Sequence, residues 1–152
     1  MTAATTTATA VVLLSLHLAA TAVMTGLIWF VQVVHYPLFA AVGAEQFVAY
    51  EVAHQRRTSL VVGLPMLVEG LTVLALFFWP PEGVGRMLPF VGGVLLTVVL
   101  ASTVFLQVPA HAALAQSYDP AHVRRLVRTN WVRTIGWSAR LVLAVVMLVV
   151  AA

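Results

Sequence analysis

The chain has 152 residues, 62% of them hydrophobic and only 9% charged, with a mean hydropathy of +1.02; soluble domains carry about a quarter charged residues, so this composition excludes a water-exposed globular surface and makes lipid the solvent. The absence of cysteine excludes disulfides, thiolate metal sites and thiol catalysis. The basic balance is eight arginines and no lysine, with a sequence pI of about 10.2, and it clusters beside apolar spans, where lipid headgroups explain it and nucleic acid does not.

Residues 1–152 read as a single transmembrane domain. The opening MTAATTTATA carries no charge, and the apolar run after it is too long for a signal-peptide core, so a retained helix is expected. This first span covers about residues 8–34, enough to cross a core of about 30 Å at 1.5 Å per residue. His17 is its one strongly polar interruption, Trp29, Phe30 and Tyr36 mark an interfacial end, and Pro37 closes it. From Glu45 to Arg57, helical spacing of Phe47, Tyr50 and His54 predicts a short helix lying in the interface.

The second span, 60–79, contains one charge, Glu69, and ends in Phe77, Phe78 and Trp79 before Pro80-Pro81. The third, 87–108, carries Gly92-Gly93, which suits close helix packing. Asp119-Pro120 predicts an N-cap with proline at the first helical position. A basic amphipathic helix should follow, with Arg124, Arg125 and Arg128 on its polar side. The fourth span, 131–152, is interrupted by Arg140. The fold class expected is therefore all-α: an integral membrane four-helix bundle with short interfacial helices. Arginine asymmetry places the connections holding Arg56-Arg57 and Arg124, Arg125 and Arg128, with Arg133 just inside the fourth span, in the cytoplasm of a bacterial inner membrane, with both termini outside.

The two halves resemble each other. Phe30-Val31-Gln32-Val33 matches Phe105-Leu106-Gln107-Val108 at an offset of 75, and with one inserted residue His35 matches His111 and Arg57-Thr58 matches Arg133-Thr134. His54 then falls opposite Asn130. Two pseudo-repeated helix pairs are expected, and sites in membrane proteins often lie where repeats meet.

This places His35, His54, His111 and Asn130 at one end of the bundle, as ligands for a metal ion, or lets a histidine pair hold a haem iron; the alternative is helix capping and headgroup contact. His17 lies roughly 27 Å along the helix from His35, too far to share that site. It is either a haem ligand facing the Gly92-Gly93 gap or the donor of a helix-to-helix hydrogen bond. Glu69 and Arg140, the only charges well inside the spans, form either an ion pair locking spans two and four or a proton-carrying or substrate-binding pair. Hydrolase and nucleotide motifs are absent.

The four-span layout, His35-Tyr36-Pro37, Glu69, and Asn130-Trp131-x-Arg133-Thr134 resemble the anthrone-oxygenase-like family of small bacterial and fungal membrane proteins. The resemblance implies the four-helix fold and, if the activity carries over, roles for His35, His111, Asn130 and Arg133. In span one, Leu16-His17-Leu18, Gly26-Leu27 and Tyr36-Pro37-Leu38-Phe39 are similar to the first helix of bacterial membrane protoporphyrinogen oxidases, which bind haem through histidine; this chain lacks their lysine and places its proline later. The expected function is thus a membrane oxidoreductase or oxygenase with a histidine-bound metal or haem, in which Glu69, Arg140 and Arg133 serve the chemistry. Its expected partners are the bilayer, a hydrophobic small molecule and a second copy of the chain. The alternative is a non-catalytic assembly factor, complex subunit or small transporter.

Overall fold

The computed structural model describes the backbone of residues 3–152 and side chains from Ala8 onward; Met1 and Thr2, the start of the uncharged leader, lie outside the described residues. Helix α1 (Ala3–Phe30) runs into a π-helical segment (Val31–His35), a single turn α2 (Tyr36–Leu38) and a 3-10 turn (Phe39–Ala41). Helix α3 (Ala44–Phe78) returns. Helix α4 (Met87–Ser102) passes through a second π-helical segment (Thr103–Gln107) into α5 (Val108–Leu114), and α6 (Pro120–Val150) completes the bundle. The described residues contain no strand. Four stretches, Ala8–Ala41, Ala44–Phe78, Met87–Leu114 and Pro120–Val150, are long and apolar enough to cross a membrane. This is a multi-pass, all-α four-helix bundle.

The segments expected as separate interfacial helices are instead the first turns of α3 and α6. No glycine or proline separates Ala44 from Leu60 or Ala121 from Trp131, so nothing breaks the backbone ladder where the side chains turn from amphipathic to apolar. Pro37 and Pro109 do not end their helices either. In each case a widened turn comes just before: Tyr36 N–H donates to the Val31 carbonyl and Val108 N–H to that of Thr103, an i to i+5 step. The π turn absorbs the missing proline N–H and lets the rod continue. Each half therefore shows the same order of helix, π segment, proline and long returning helix.

The helices form a ring in which α1 contacts α3 and α6, while α4 contacts the same two. Buried apolar layers stack along the axis. Leu14, Leu76, Ala144 and Met147 fill one end; Met24, Ile28, Val99 and Trp137 the middle; Tyr36, Phe39, Phe47, Leu114 and Leu126 the arginine-rich end. Large apolar side chains such as Leu60, Leu64, Phe105 and Ile135 cover the outside, while His17, Glu69, Asn130 and Arg140 are buried. A water-soluble bundle has the reverse distribution, so the exterior is built for contact with lipid.

Two local features constrain the packing. Gly136 brings α6 against α4: a Cβ there would lie 2.5 Å from Val99 Cγ2. Gly136→Ala is expected to destabilise the bundle by about 1–3 kcal/mol, measured as a lower midpoint of thermal unfolding in detergent, and an unchanged midpoint would remove Gly136 from this role. At the start of α6, Asp119 accepts a hydrogen bond from Ala121 N–H at 2.7 Å, as the Asp-Pro pair predicts. That bond, with His122 and Arg124 beside it, holds the exposed carboxyl below its ordinary range. Because the folded value is depressed, the cap's contribution is complete above the unfolded value of about 3.9 and is lost as pH falls through the folded one. Asp119→Ala should speed amide exchange in the first turn of α6 at neutral pH, and the two proteins should converge in acid.

Candidate functional site

At the arginine-rich end, the first π segment turns His35 toward α3, α2 supplies Tyr36, α3 supplies Glu51, His54, Gln55 and Thr58, and α5 supplies His111. Residues 51, 54, 55 and 58 share one helical face by their spacing. That face looks onto the ends of the other half-bundle's rods, so the site draws on both halves of the chain.

Two hydrogen-bonded chains meet there. In the first, His111 Nδ1 lies 2.5 Å from Glu51 Oε1, with Glu51 wholly buried and His111 12% exposed. A carboxylate only accepts, so His111 Nδ1 carries the proton, and in the neutral ring its Nε2 accepts from the Tyr36 hydroxyl at 2.8 Å. Gln55 Nε2 fixes the pair by donating to Glu51 Oε1 and to the His111 carbonyl, both at 3.1 Å. In the second chain, His35 Nε2 and His54 Nδ1 share a proton across 2.8 Å, and the Thr58 hydroxyl lies 3.1 Å from His54 Nδ1. The His54 ring joins the two chains, its centroid 4.6 Å from that of His35 and 5.3 Å from that of His111. Phe39, wholly buried, sets its ring edge-on to His35 and His54 and closes the cluster from the bundle interior.

The cluster borders a cleft of about 340 Å³ between α1 and α3, open to the outside of the bundle. Tyr50, His35, His54, Arg57 and Thr58 line one part of it, and apolar side chains such as Leu27, Phe30 and Val62 line the other. An apolar slot with a few convergent polar groups is the usual form of a small-molecule site.

His35, His54 and His111 thus come together. Asn130 does not join them: its amide donates to Gln32 Oε1 at 2.9 Å and its Oδ1 accepts from Arg133 Nη1 at 3.2 Å. The reason is Gln32, which the π segment buries against α6, where it also donates to the Val127 carbonyl. Arg133 sits at the edge of the cluster, beside the Tyr36 phenol and 5.4 Å from the Trp137 ring centroid. Glu69 and Arg140 lie apart: Glu69 is 15 residues beyond His54 on the same helix, roughly 22 Å along the axis. There they pair with each other at 3.1 Å, with Trp137 Nε1 donating to Glu69 Oε2 and Arg140 Nη1 to the Gly92 carbonyl. His17 is buried at the same level, its Nδ1 2.8 Å from Thr72 Oγ1, the helix-to-helix hydrogen bond of the two alternatives.

His111 commits both nitrogens, and among the described residues no group of three or more His, Cys, Asp or Glu is arranged to hold a metal ion. At the Gly92-Gly93 gap expected to face a haem on His17, Val73 and Arg140 lie 3.7 and 3.8 Å from where a Cβ on Gly92 would stand, while nothing lies within 4 Å of one on Gly93. Glu51 and Tyr36 belong to the site without having been expected there as functional residues. The one signal for Glu51 was its place three positions before His54 on the same face of a predicted helix, which a solvated acid would share.

Fold and site together define a multi-pass membrane protein with a histidine–carboxylate–phenol cluster at one end of a four-helix bundle. No family model, curated protein or solved structure matches the chain.

Proposed function

We propose that this chain is a membrane-embedded oxidoreductase of the oxygenase kind, acting on a hydrophobic small molecule drawn from the bilayer, with His35 and His54 as its acid–base pair. The observation that carries this reading is the hydrogen-bonded imidazole pair lining an apolar cleft open to the outside of the bundle. The family resemblance of His35-Tyr36-Pro37 and Asn130-Trp131-x-Arg133-Thr134 supplies the reaction class. The histidine pair takes the proton of an acidic C–H or O–H group of the substrate. The electron pair left on the delocalised carbanion forms a C–O bond to dioxygen as the O–O double bond becomes single, and the pair returns the proton to the distal oxygen to give a hydroperoxide. The Glu51–His111–Tyr36 chain behind it holds tautomers and geometry. No step passes through a metal or haem. In this reading the membrane is a bacterial plasma membrane with the arginine-rich end in the cytoplasm, following the distribution of Arg56, Arg57, Arg124, Arg125 and Arg128.

The test compares lipid-soluble metabolites of bacterial membranes carrying the wild type or the His35→Ala/His54→Ala protein, under ¹⁸O-labelled dioxygen. A labelled product formed only by the wild type is expected. Identical profiles would overturn the proposal in favour of a non-catalytic membrane protein. An absorbance scan and metal analysis of the purified protein accompany it, and near-stoichiometric haem or metal would reassign the histidines to a cofactor.

A further inference from the structure

The polar lining of the cleft is one-sided in charge. His35, His54 and Arg57 all border it, and no carboxylate does. The nearest acid, Glu51, is turned inward and held by His111 and Gln55. Arg57 is exposed and has neither a hydrogen bond nor an ion-pair partner among the described residues. The two arginines that are buried or half-buried are engaged, Arg140 by Glu69 and Arg133 by Asn130. An unpaired guanidinium at the edge of an apolar slot is a charged donor without an internal counterion.

The direction of the slot adds to this. Helices α1 and α3 run antiparallel. Following α3 from Tyr50 to Val62, and α1 backward from His35 to Leu27, the lining changes from imidazole, hydroxyl and guanidinium to aliphatic and aromatic carbon. Arg57 and Thr58 stand one turn after His54 on α3, so guanidinium, hydroxyl and imidazole belong to the same part of the cleft. One end of the cleft therefore suits a negative head, and the deeper end an apolar tail lying beside the lipid chains.

We infer that the cleft takes a single-chain amphiphile with one anionic head group, whose head pairs with Arg57 beside His35 and His54. A long-chain carboxylate has that head and tail, and the reacting molecule adds to them the acidic C–H or O–H group that the histidine pair deprotonates. The inference rests on the reading of this cleft as the substrate site and names its substrate class. Arg57 contributes charge pairing, while the histidines stay free for proton transfer.

The test uses purified full-length protein in neutral phosphatidylcholine nanodiscs, titrated with a fluorescent polyene C18 carboxylic acid or its methyl ester. Binding is read by energy transfer from tryptophan, and empty discs provide the background. Saturable binding of the acid, roughly tenfold tighter than that of the ester, is expected. Arg57→Gln should remove that advantage, whereas Arg56→Gln, an exposed neighbour outside the cleft, should keep it. Thermal melts of both variants verify folding. Equal binding of acid and ester, or equal effects of the two substitutions, would overturn the inference. Displacement of the acid by phosphatidylglycerol discs in an Arg57-dependent manner would assign the site to an anionic phospholipid head group and overturn the free-acid assignment. Arg57-dependent binding without ¹⁸O incorporation would leave this inference standing and sink the enzymatic proposal; labelled turnover of a neutral substrate alone would do the opposite.

Discussion

Glu69→Gln and Arg140→Leu, made singly, are each expected to unfold much of the protein, at a cost of about 3–5 kcal/mol. Both side chains are almost wholly buried, and each is the other's charge partner. Removing one leaves an ion inside the bundle with only neutral dipoles around it: Arg140 would keep the Gly92 carbonyl, and Glu69 would keep the Trp137 indole N–H. Replacing the pair together, as Glu69→Leu/Arg140→Met, removes both charges at once and should restore most of the loss, because a buried pair exchanged for apolar side chains is often neutral in stability. The measurement is the midpoint of unfolding in a detergent titration for the wild type, both single variants and the double variant. A double variant as unstable as the worse single one would show that the pair does more than neutralise itself, and an undisturbed Glu69→Gln would show that it does not lock the bundle.

The second large effect concerns turnover. With a substrate found by isotope labelling, His54→Ala should lower kcat by about 10²–10⁴, the usual worth of a positioned acid–base group, with little change in the melting midpoint. Glu51→Gln should act in the same direction by a different route. The amide can donate to His111 Nδ1, which favours the wrong tautomer and turns the His111–Tyr36 hydrogen bond around. His122→Ala is the control, because His122 pairs only with Asp119 on the half-exposed start of α6. If His122→Ala and His54→Ala are equally impaired, the cluster is not the reacting site.

Much of the histidine cluster was legible in the chain. The approximate match of His35 with His111, and of Arg57-Thr58 with Arg133-Thr134, was enough to place three histidines at one end of a bundle. Asn130 broke the pattern because its partner is chosen by Gln32, and the π segment that buries Gln32 leaves no trace in hydropathy. Glu51 was hidden for another reason: an acid near a predicted interface reads as solvated until the opposing helix is known. The internal likeness is also incomplete in space, since Gln32 and Gln107 both reach α6, one through the Val127 carbonyl and the other through Thr129 Oγ1.

The sequence by itself determined the solvent, the four spans and the Asp119 cap. These depend on local quantities: the apolar content of runs of about twenty residues, and a side chain bonding its own neighbouring backbone. Only the tertiary structure decided whether α3 and α6 were continuous, because an amphipathic turn and an apolar turn have the same backbone and nothing in between forces a break. It alone also decided that His17 faces Thr72, that Glu69 meets Arg140 through the middle of the bundle, and that Glu51 turns inward to His111. Those are choices of partner across helices, set by the rotation of each rod about its own axis, and in this chain the π turns before Pro37 and Pro109 fix part of that rotation.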